Sequence, residues 1–127
     1  SISPVVGVMA VQSNIRMGTP RPPKVRGTKS SVEGVFRPGE RVLLVDDLIT
    51  GADSKLEAIE TLTRAGLIVQ DVAVVIDREQ GGGQELARRG VFLHAAFTVR
   101  EMLLRYELDG KIDKILFDEI LDYIEAN

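Results

Sequence analysis

The chain has 127 residues, of which 44% are hydrophobic and 28% are charged, and its formal net charge is −3 at pH 7. This length predicts one domain with a modest core, and the composition is that of an ordinary globular protein. The acidic balance argues against a nucleic-acid partner, although the basic segment at 16–29, which contains no acid, suits an anionic ligand.

Several chemistries are excluded by residues that the chain lacks. It contains no cysteine, which excludes disulfide bonds and thiolate metal sites. The single histidine, His94, cannot form a histidine-based zinc site alone. No apolar run approaches the roughly 20 residues that span a membrane, and the first residues lack the features of a signal peptide. We therefore expect a cytoplasmic protein with no membrane partner.

The first third of the chain contains few periodic patterns. Residues 4–11 are rich in valine and are predicted to form a short buried strand. Residues 18–31 contain three prolines, which disfavour a helix. We predict a flexible basic loop there, because long loops in compact domains are often functional. Residues 32–36 could form another short strand.

The most informative stretch follows a Pro-Gly turn. Four apolar residues at 42–45 predict a buried strand over 41–46, and two adjacent carboxylates, Asp46 and Asp47, come at its end. A turn of small residues and an amphipathic helix follow. In an open α/β sheet, ligands bind just beyond the carboxyl ends of the strands. A ligand site is therefore predicted at this point.

Strands and helices alternate over the rest of the chain. In order, the sequence predicts a helix at 54–65, a strand at 69–76, a short helix at 84–89, a strand at 91–95, and helices at 98–106 and 112–125. Two helix starts have capping-box spacing, Ser54 with Glu57 and Thr98 with Glu101. The alternation indicates βαβ units. We therefore predict a single α/β domain over residues 1–127, with an open, mainly parallel twisted sheet flanked by helices.

The paired acids are candidate ligands for a sugar. Carboxylates can accept hydrogen bonds from ribose hydroxyls, and a helix N-terminus can receive a phosphate. The alternative is that one acid caps a turn, although adjacent strand residues face opposite ways and cannot easily share one structural task. Two carboxylates are too few for a closed cation site. Asp46 and Asp47 fit better around a magnesium ion that arrives with a pyrophosphate.

The loop Thr50-Gly51-Ala52-Asp53-Ser54 is a candidate phosphate site. Small residues let backbone N–H groups approach a phosphate, and the two hydroxyls can donate to it. Asp53 opposes this interpretation, because a carboxylate here accepts the same N–H groups and repels the dianion. The alternative, that Asp53 or Ser54 is simply the N-cap of the next helix, stays open.

Arg78 follows the strand at 69–76 and precedes three glycines. A guanidinium binds a planar carboxylate through two parallel hydrogen bonds, so Arg78 could hold a ligand at the same sheet edge. The alternative is a surface ion pair with Asp77 or Glu79. His94 lies in an apolar strand, where a core or strand-end histidine is more typical than a catalytic base.

Basic side chains on the proline-rich loop allow two interpretations. Lys24, Arg26 and Lys29 could form a solvated basic surface. They could instead belong to a mobile lid whose cations neutralise a pyrophosphate as it leaves. The last helix carries an apolar stripe that predicts a core or dimer contact.

Four segments together resemble one known family: Val42–Thr50, Ser54–Glu60, Val75–Gly82, and Arg21–Lys29 with the Val-Glu-Gly that follows at 32–34. They resemble the type I phosphoribosyltransferases, and among these the orotate phosphoribosyltransferases, either free-standing or within UMP synthase. The segment at 75–82 is the more specific, because it separates orotate enzymes from purine enzymes. The likeness covers residues 20–125.

The resemblance implies a reaction and a set of roles. Orotate would attack the anomeric carbon of phosphoribosyl pyrophosphate, and pyrophosphate would leave with Mg²⁺. Asp46 and Asp47 would hold the ribose hydroxyls, and Lys24 and Arg26 would act on the catalytic loop. Lys24 matches a lysine that reaches the neighbouring subunit, which implies a homodimer with shared active sites. The implied substrate-binding residues are Arg21, Asp46, Asp47, Leu48, Ile49, Thr50, Gly51, Ala52, Asp53, Ser54 and Arg78, of which Thr50 and Arg78 would bind orotate.

The sequence departs from the family pattern at three places. The phosphate loop usually reads Thr-Thr-Gly-Gly-Ser, whereas here an acid, Asp53, stands in it. Arg26 occupies a position that often holds histidine. The N-terminal hood that closes over orotate is absent from this sequence, so we expect a truncated or engineered chain. A non-catalytic phosphoribosyltransferase-like nucleotide-binding or regulatory module is the alternative. An enzyme for another base is disfavoured by the segment at 77–82.

Overall fold

The structure is a computed structural model and describes residues 2–20 and 32–126. The basic side chains to which the sequence assigns a role on the loop lie outside the described residues: Arg21, Lys24, Arg26 and Lys29. In chain order the elements are α1 (Ser3–Ser13), β1 (Thr19–Pro20), β2 (Val32–Glu33), β3 (Arg41–Ile49), α2 (Asp53–Arg64), β4 (Ile68–Asp77), α3 (Gly82–Arg88), β5 (Phe92–Thr98), α4 (Val99–Leu108) and α5 (Lys114–Ala126).

A parallel sheet in the order β3-β4-β5 forms the centre of the fold. The register places Ile49 opposite Asp77, and Asp77 opposite Thr98, so the three strands end side by side. β1 and β2 form a separate antiparallel pair. Parallel neighbouring strands need a crossover connection, and here α2 connects β3 to β4 and α3 connects β4 to β5. This arrangement confirms the predicted α/β class, and it brings the loops after β3 and β4 to one edge.

Two groups of apolar side chains form the core against α2 and α3. The larger contains Ile49, Ala52, Val72, Val74, Leu86 and Val91, and the smaller contains Val32, Leu62, Leu67 and Val69. Val72 and Val74 of β4 are buried with the period of two that a strand gives, whereas Val69 lies three residues before Val72, where the register with β3 shifts. Ile49 and Leu86 are fully buried, so the end of β3 is fixed by packing on α3.

Residues 4–11 do not form a buried strand, and this prediction is wrong. They lie in α1, which has no buried residue. A continuous apolar run cannot be assigned to strand or helix by periodicity alone. The helix signals lie at its ends, with Pro4 in the first turn and Asn14 in the left-handed conformation after the last.

Several boundaries differ from those predicted. β3 continues to Ile49, so Asp46 and Asp47 lie within the strand and not beyond it. The strand predicted at 32–36 is limited to β2. The final helix begins at Lys114. Its apolar stripe is exposed at Ile115, Leu116 and Tyr123 and buried at Ile124.

The two predicted capping boxes have different outcomes. Thr98 and Glu101 form the complete box, with the Glu101 N–H donating to Thr98 Oγ1 at 3.2 Å and the Thr98 N–H donating to Glu101 Oε2 at 2.8 Å. The prediction of a capping box at Ser54 is wrong, because the N-cap residue of α2 is Ala52, whose side chain makes no capping hydrogen bond. The helix begins earlier than the spacing indicates, and Asp53 lies in its first turn, where a carboxylate favours the helix dipole.

No helix among the described residues is long and apolar enough to cross a membrane.

Gly82 is a point of close approach between α3 and the end of β3. A Cβ atom there would lie 2.7 Å from the carbonyl oxygen of Thr50 and 2.7 Å from Cγ1 of Ile49. We expect Gly82→Ala to lower the free energy of unfolding by about 1–3 kcal/mol, because the backbone must shift to admit the methyl group. Urea denaturation followed by circular dichroism measures the change.

Gly83→Ala is the matched control. The nearest atom to its Cβ is the end of the Leu93 side chain, at 3.2 Å, which can rotate away. The expected change is within about 0.5 kcal/mol, since alanine also favours the helix. Equal destabilisation by the two substitutions would contradict the role given to Gly82.

Candidate functional site

The candidate site lies where the loops after β3 and β4 meet. The backbone N–H of Arg78 donates to the carbonyl oxygen of Ile49 at 3.0 Å, and that of Gly82 donates to Thr50 at 3.1 Å. These bonds hold the loop that begins α2 against the loop that begins α3. The structure therefore brings together the backbones of two segments that the sequence identified separately.

Asp46 projects from β3 toward α2 and forms an ion pair with Lys55. Oδ2 of Asp46 lies 2.6 Å from the Lys55 ammonium, and Oδ1 accepts the backbone N–H of Asp47 at 2.9 Å. The Lys55 side chain is only 7% exposed, whereas that of Asp46 is 38% exposed. Asp46 thus presents part of its carboxylate to solvent while the pairing cation lies behind it.

Opposing influences set the pKa of the Asp46 carboxyl. Partial burial raises this pKa, because it disfavours the ionised form. The hydrogen bonds from Lys55 and from the Asp47 N–H, together with the charge of Lys55, lower the pKa and outweigh burial, so that it lies below its ordinary value of 3.8. Asp46 is therefore ionised at neutral pH, as suits an acceptor for hydroxyl groups.

Asp47 differs from its neighbour in its surroundings. It is exposed, and its Oδ1 accepts the backbone N–H of Leu48 at 2.8 Å. Its side chain also contacts the Asp46 carboxyl, and it forms no ion pair within the described parts of the chain. The two acids are therefore not equivalent: Asp46 is held by a cation, and Asp47 is held only by its own strand.

The loop from Thr50 to Ser54 contains both buried and exposed residues. Ala52 is buried, whereas Gly51, Asp53 and Ser54 are exposed. The cap of α2 uses no side-chain hydrogen bond, so the interpretation of Asp53 or Ser54 as N-cap is wrong. The fully buried Ile49 and the buried Ala52 could contact a ligand only through their backbone atoms. Leu48 is partly exposed.

Arg78 is exposed, and its acidic neighbours are engaged elsewhere. Within 2–20 and 32–126, neither Asp77 nor Glu79 pairs with it, so the alternative of a surface ion pair is not observed there. Oδ1 of Asp77 accepts the Glu79 N–H at 2.8 Å, and Oε2 of Glu79 accepts the Arg100 N–H at 3.2 Å. Glu79 has φ of 57°, a left-handed conformation that costs energy and that these contacts stabilise. The Arg100 guanidinium also bonds Glu125 at 3.0 Å.

His94 is neither a core nor a strand-end residue, and this prediction is wrong. Its side chain is 61% exposed, and Nε2 lies 2.8 Å from Oδ1 of Asp71. In the register, Asp71 pairs with Leu43 of β3, which precedes Asp46 by three positions. His94 has apolar neighbours along β5, and for this reason the sequence wrongly indicated a buried or strand-end position.

Lys55 is the residue that the sequence analysis missed. It follows the phosphate loop directly and lies in the first turn of α2, where a lysine is usually solvated. A signal was available: it is the single cation in 46–55, a segment with three acids. In the part of the chain that the structure describes, no three acidic or histidine side chains come together as a metal site.

We expect Asp46→Asn to weaken the fold in a pH-dependent way. Because the pKa of Asp46 is lower in the folded state, its ionisation stabilises the fold above the unfolded-state pKa, and this contribution is lost as the pH falls through the folded-state pKa. At neutral pH the loss should be about 1–2 kcal/mol, reduced by solvent screening of the carboxylate. Urea denaturation between about pH 2 and pH 7 measures it.

Asp118→Asn is the control for this substitution. Asp118 pairs with Lys114 at 3.2 Å on an exposed helix surface, and such pairs contribute only about 0.2–0.5 kcal/mol. If Asp46→Asn loses stability below about pH 4 as steeply as the unsubstituted protein, the pairing with Lys55 does not set the acid response.

Comparison with known proteins identifies relatives of the chain. No protein-family model matches it. It is 36% identical over 101 residues to the uridine 5′-monophosphate synthase of Bos taurus, covering 80% of this chain and 21% of the bovine protein. It is 38% identical over 100 residues to the orotate phosphoribosyltransferase of Methanocella arvoryzae, covering 75% of this chain and 57% of the other. The chain thus spans less than two thirds of each of these relatives.

Solved structures show the same relationship. The UMP synthase of Leishmania donovani superposes with a TM-score of 0.85 at 27% identity, over 98% of this chain and 27% of the other. The orotate phosphoribosyltransferase of Aeropyrum pernix gives a TM-score of 0.67 at 32% identity, over 80% and 56%. That of Mycobacterium tuberculosis in complex with phosphoribosyl pyrophosphate gives 0.59 at 26% identity, over 68% and 49%. By sequence and by fold, the chain is similar to the orotate phosphoribosyltransferases, and it has the type I phosphoribosyltransferase fold.

Proposed function

We propose that the chain transfers 5-phosphoribose from phosphoribosyl pyrophosphate to orotate, giving orotidine 5′-monophosphate and pyrophosphate in pyrimidine biosynthesis. The observation that carries the proposal is the junction of the two loops, where the Arg78 N–H donates to Ile49 at 3.0 Å. This hydrogen bond brings the backbone of Arg78 beside the end of β3, the strand that carries Asp46 and Asp47. A solved relative binds phosphoribosyl pyrophosphate, which supports the same ligand here.

The proposed chemistry is a substitution at the anomeric carbon. A ring nitrogen of orotate bonds to this carbon while the bond to the pyrophosphate oxygen breaks, and the electron pair leaves with pyrophosphate. Positive charge develops on the ribose, and fixed carboxylates nearby stabilise it. Asp46 and Asp47 accept the ribose hydroxyls in this proposal, and Arg78 holds the carboxylate of orotate with the help of Thr50.

Mg²⁺ is proposed to enter with the pyrophosphate. The donors fit this mode of binding, because Asp46 is already paired with Lys55 while the Asp47 carboxylate is exposed. Mg²⁺ retains several waters and binds few protein carboxylates when phosphates share its coordination. When bound, it neutralises charge on the leaving pyrophosphate.

The loop cations and the assembly complete the proposal. Lys24 and Arg26 would supply positive charge to the departing pyrophosphate, and Arg21 would contact the substrate. Lys24 would act in the site of a second subunit, so the active form is a homodimer, located in the cytoplasm. The support for these residues is the similarity of the segment at 21–29 to the catalytic loop of the family.

The test mixes the protein with orotate, phosphoribosyl pyrophosphate and Mg²⁺ and follows the loss of orotate absorbance. We expect turnover that Lys24→Ala abolishes. Arg78→Ala should raise the KM for orotate by about 10–100-fold, since a hydrogen-bonded charge contributes about 1.5–3 kcal/mol. Arg88→Ala is the control, because that guanidinium pairs with Glu85 on the exposed side of α3 and should leave the KM unchanged.

Other outcomes decide between the hypotheses. Calorimetric binding of phosphoribosyl pyrophosphate without turnover would instead support the non-catalytic module. Consumption of a purine base in place of orotate would contradict the role of Arg78. If the protein neither binds phosphoribosyl pyrophosphate nor turns it over, the proposal is rejected.

Asp53 provides a separate test of the phosphate loop. The residue is exposed at the start of α2, where its charge opposes a dianion. We expect Asp53→Gly to tighten binding of phosphoribosyl pyrophosphate about three- to tenfold, the effect of removing roughly 1 kcal/mol of repulsion. Asp53→Asn should give a similar gain, because it removes the charge alone. Calorimetry measures both.

Glu57→Gln is the matched control for the Asp53 variants. Glu57 is an exposed acid one turn further along α2, so its neutralisation should change the affinity less than about twofold. An unchanged affinity in both Asp53 variants would show that this acid does not face the phosphate.

A further inference from the structure

Lys55 is the one charged residue that is buried in the described ranges, with 5% of its surface exposed. Burial of an ammonium group is unfavourable unless it is paired and hydrogen-bonded. Its Nζ lies 2.6 Å from Oδ2 of Asp46 and donates to Oγ of Ser54 at 3.4 Å. One buried cation therefore contacts both an acid of β3 and a hydroxyl of the phosphate loop.

The local charge shows why this cation matters. Residues 46–55 contain three acids and one cation, and the acids at 46 and 47 are adjacent. Without Lys55, the carboxylate of Asp46 would be held only by its contacts with Asp47 and could rotate. The pair with Lys55 opposes this rotation, because α2 fixes the ammonium group behind the carboxylate.

The carboxylate of Asp46 also keeps free acceptor capacity. An ionised carboxylate offers about four lone-pair positions. Lys55 occupies one on Oδ2 and the Asp47 N–H occupies one on Oδ1, which leaves about two for the hydroxyls of a ribose. Because the side chain is 38% exposed, a ligand can reach these positions.

We propose that Lys55 is a positioning residue that orients the Asp46 carboxylate toward the ribose hydroxyls and couples it to the phosphate loop through Ser54. This inference rests on the proposed function, since Asp46 is the proposed ribose ligand. Lys55 does not touch the substrate. It sets the affinity for the pentose part of the ligand and has a smaller effect on the phosphate part.

A double-mutant cycle separates this role from a merely structural ion pair. The probes are ribose 5-phosphate, which carries the hydroxyls, and inorganic phosphate, which does not. By calorimetry, we expect Lys55→Met to weaken ribose 5-phosphate binding by about tenfold or more, and inorganic phosphate binding by no more than about threefold. Lys55→Met combined with Asp46→Asn should bind ribose 5-phosphate no more weakly than Asp46→Asn alone.

Two further variants serve as controls. Lys111→Met removes an exposed lysine between α4 and α5 and should leave both affinities unchanged. Lys55→Arg keeps the charge beside Asp46 and should restore ribose 5-phosphate binding to within about threefold. If Lys55→Met does not fold by circular dichroism, Lys55→Gln, which is shorter and polar, takes its place in the cycle with the same expected losses.

The outcomes distinguish failure of this inference from failure of the proposed function. If the unsubstituted protein binds ribose 5-phosphate but the two substitutions act additively, Lys55 is not a positioning residue. Equal losses for the two probes would also overturn the inference, since they would indicate general damage to the site. If the unsubstituted protein binds neither ribose 5-phosphate nor phosphoribosyl pyrophosphate, the proposed function itself fails, and the role of Lys55 fails with it.

Discussion

Parallel pairing between β3 and β4 determines where each described candidate side chain lies. The register sets Asp46 opposite Val74 and Ile49 opposite Asp77, so the loops that follow the two strands leave the sheet together. The burial of Ile49 and the close approach at Gly82 then fix the separation of these loops. The geometry of the candidate site therefore depends on backbone pairing and apolar packing that contain no reactive group.

Much of the fold was predictable because its signals are local. The strand at 69–76 and the capping box at Thr98 were predicted from alternation and spacing, and both are present. The length of β3 was not, because hydrogen bonding to β4 decides where a strand ends. Residues 4–11 were misassigned because an apolar run has no alternation to distinguish strand from helix. The start of α2 was misplaced, since Ser54 has the spacing of a cap but lies inside the helix.

Residue types alone identify the candidate site, but they do not reveal the contacts that support it. Acids, small residues and an arginine suggest a sugar-phosphate ligand, and the structure places the two acids within β3 and the other described members of this set in the loops that follow β3 and β4 or at the start of α2. The burial of Lys55 and its pairing with Asp46 were not predictable, because they follow from the position of α2 over the sheet and not from the neighbours of Lys55 in sequence. The same holds for Glu79, whose unfavourable backbone conformation is stabilised by Arg100, a residue 21 positions away.

The bridge from Glu79 through Arg100 to Glu125 joins the strand edge to the last helix of the chain. The last helix is thereby connected to the turn that follows β4, although none of its side chains is a candidate ligand contact. Loss of the C-terminal turn would remove Glu125, one of the two acids that the Arg100 guanidinium contacts. The left-handed backbone of Glu79 would then depend on a guanidinium with one partner fewer.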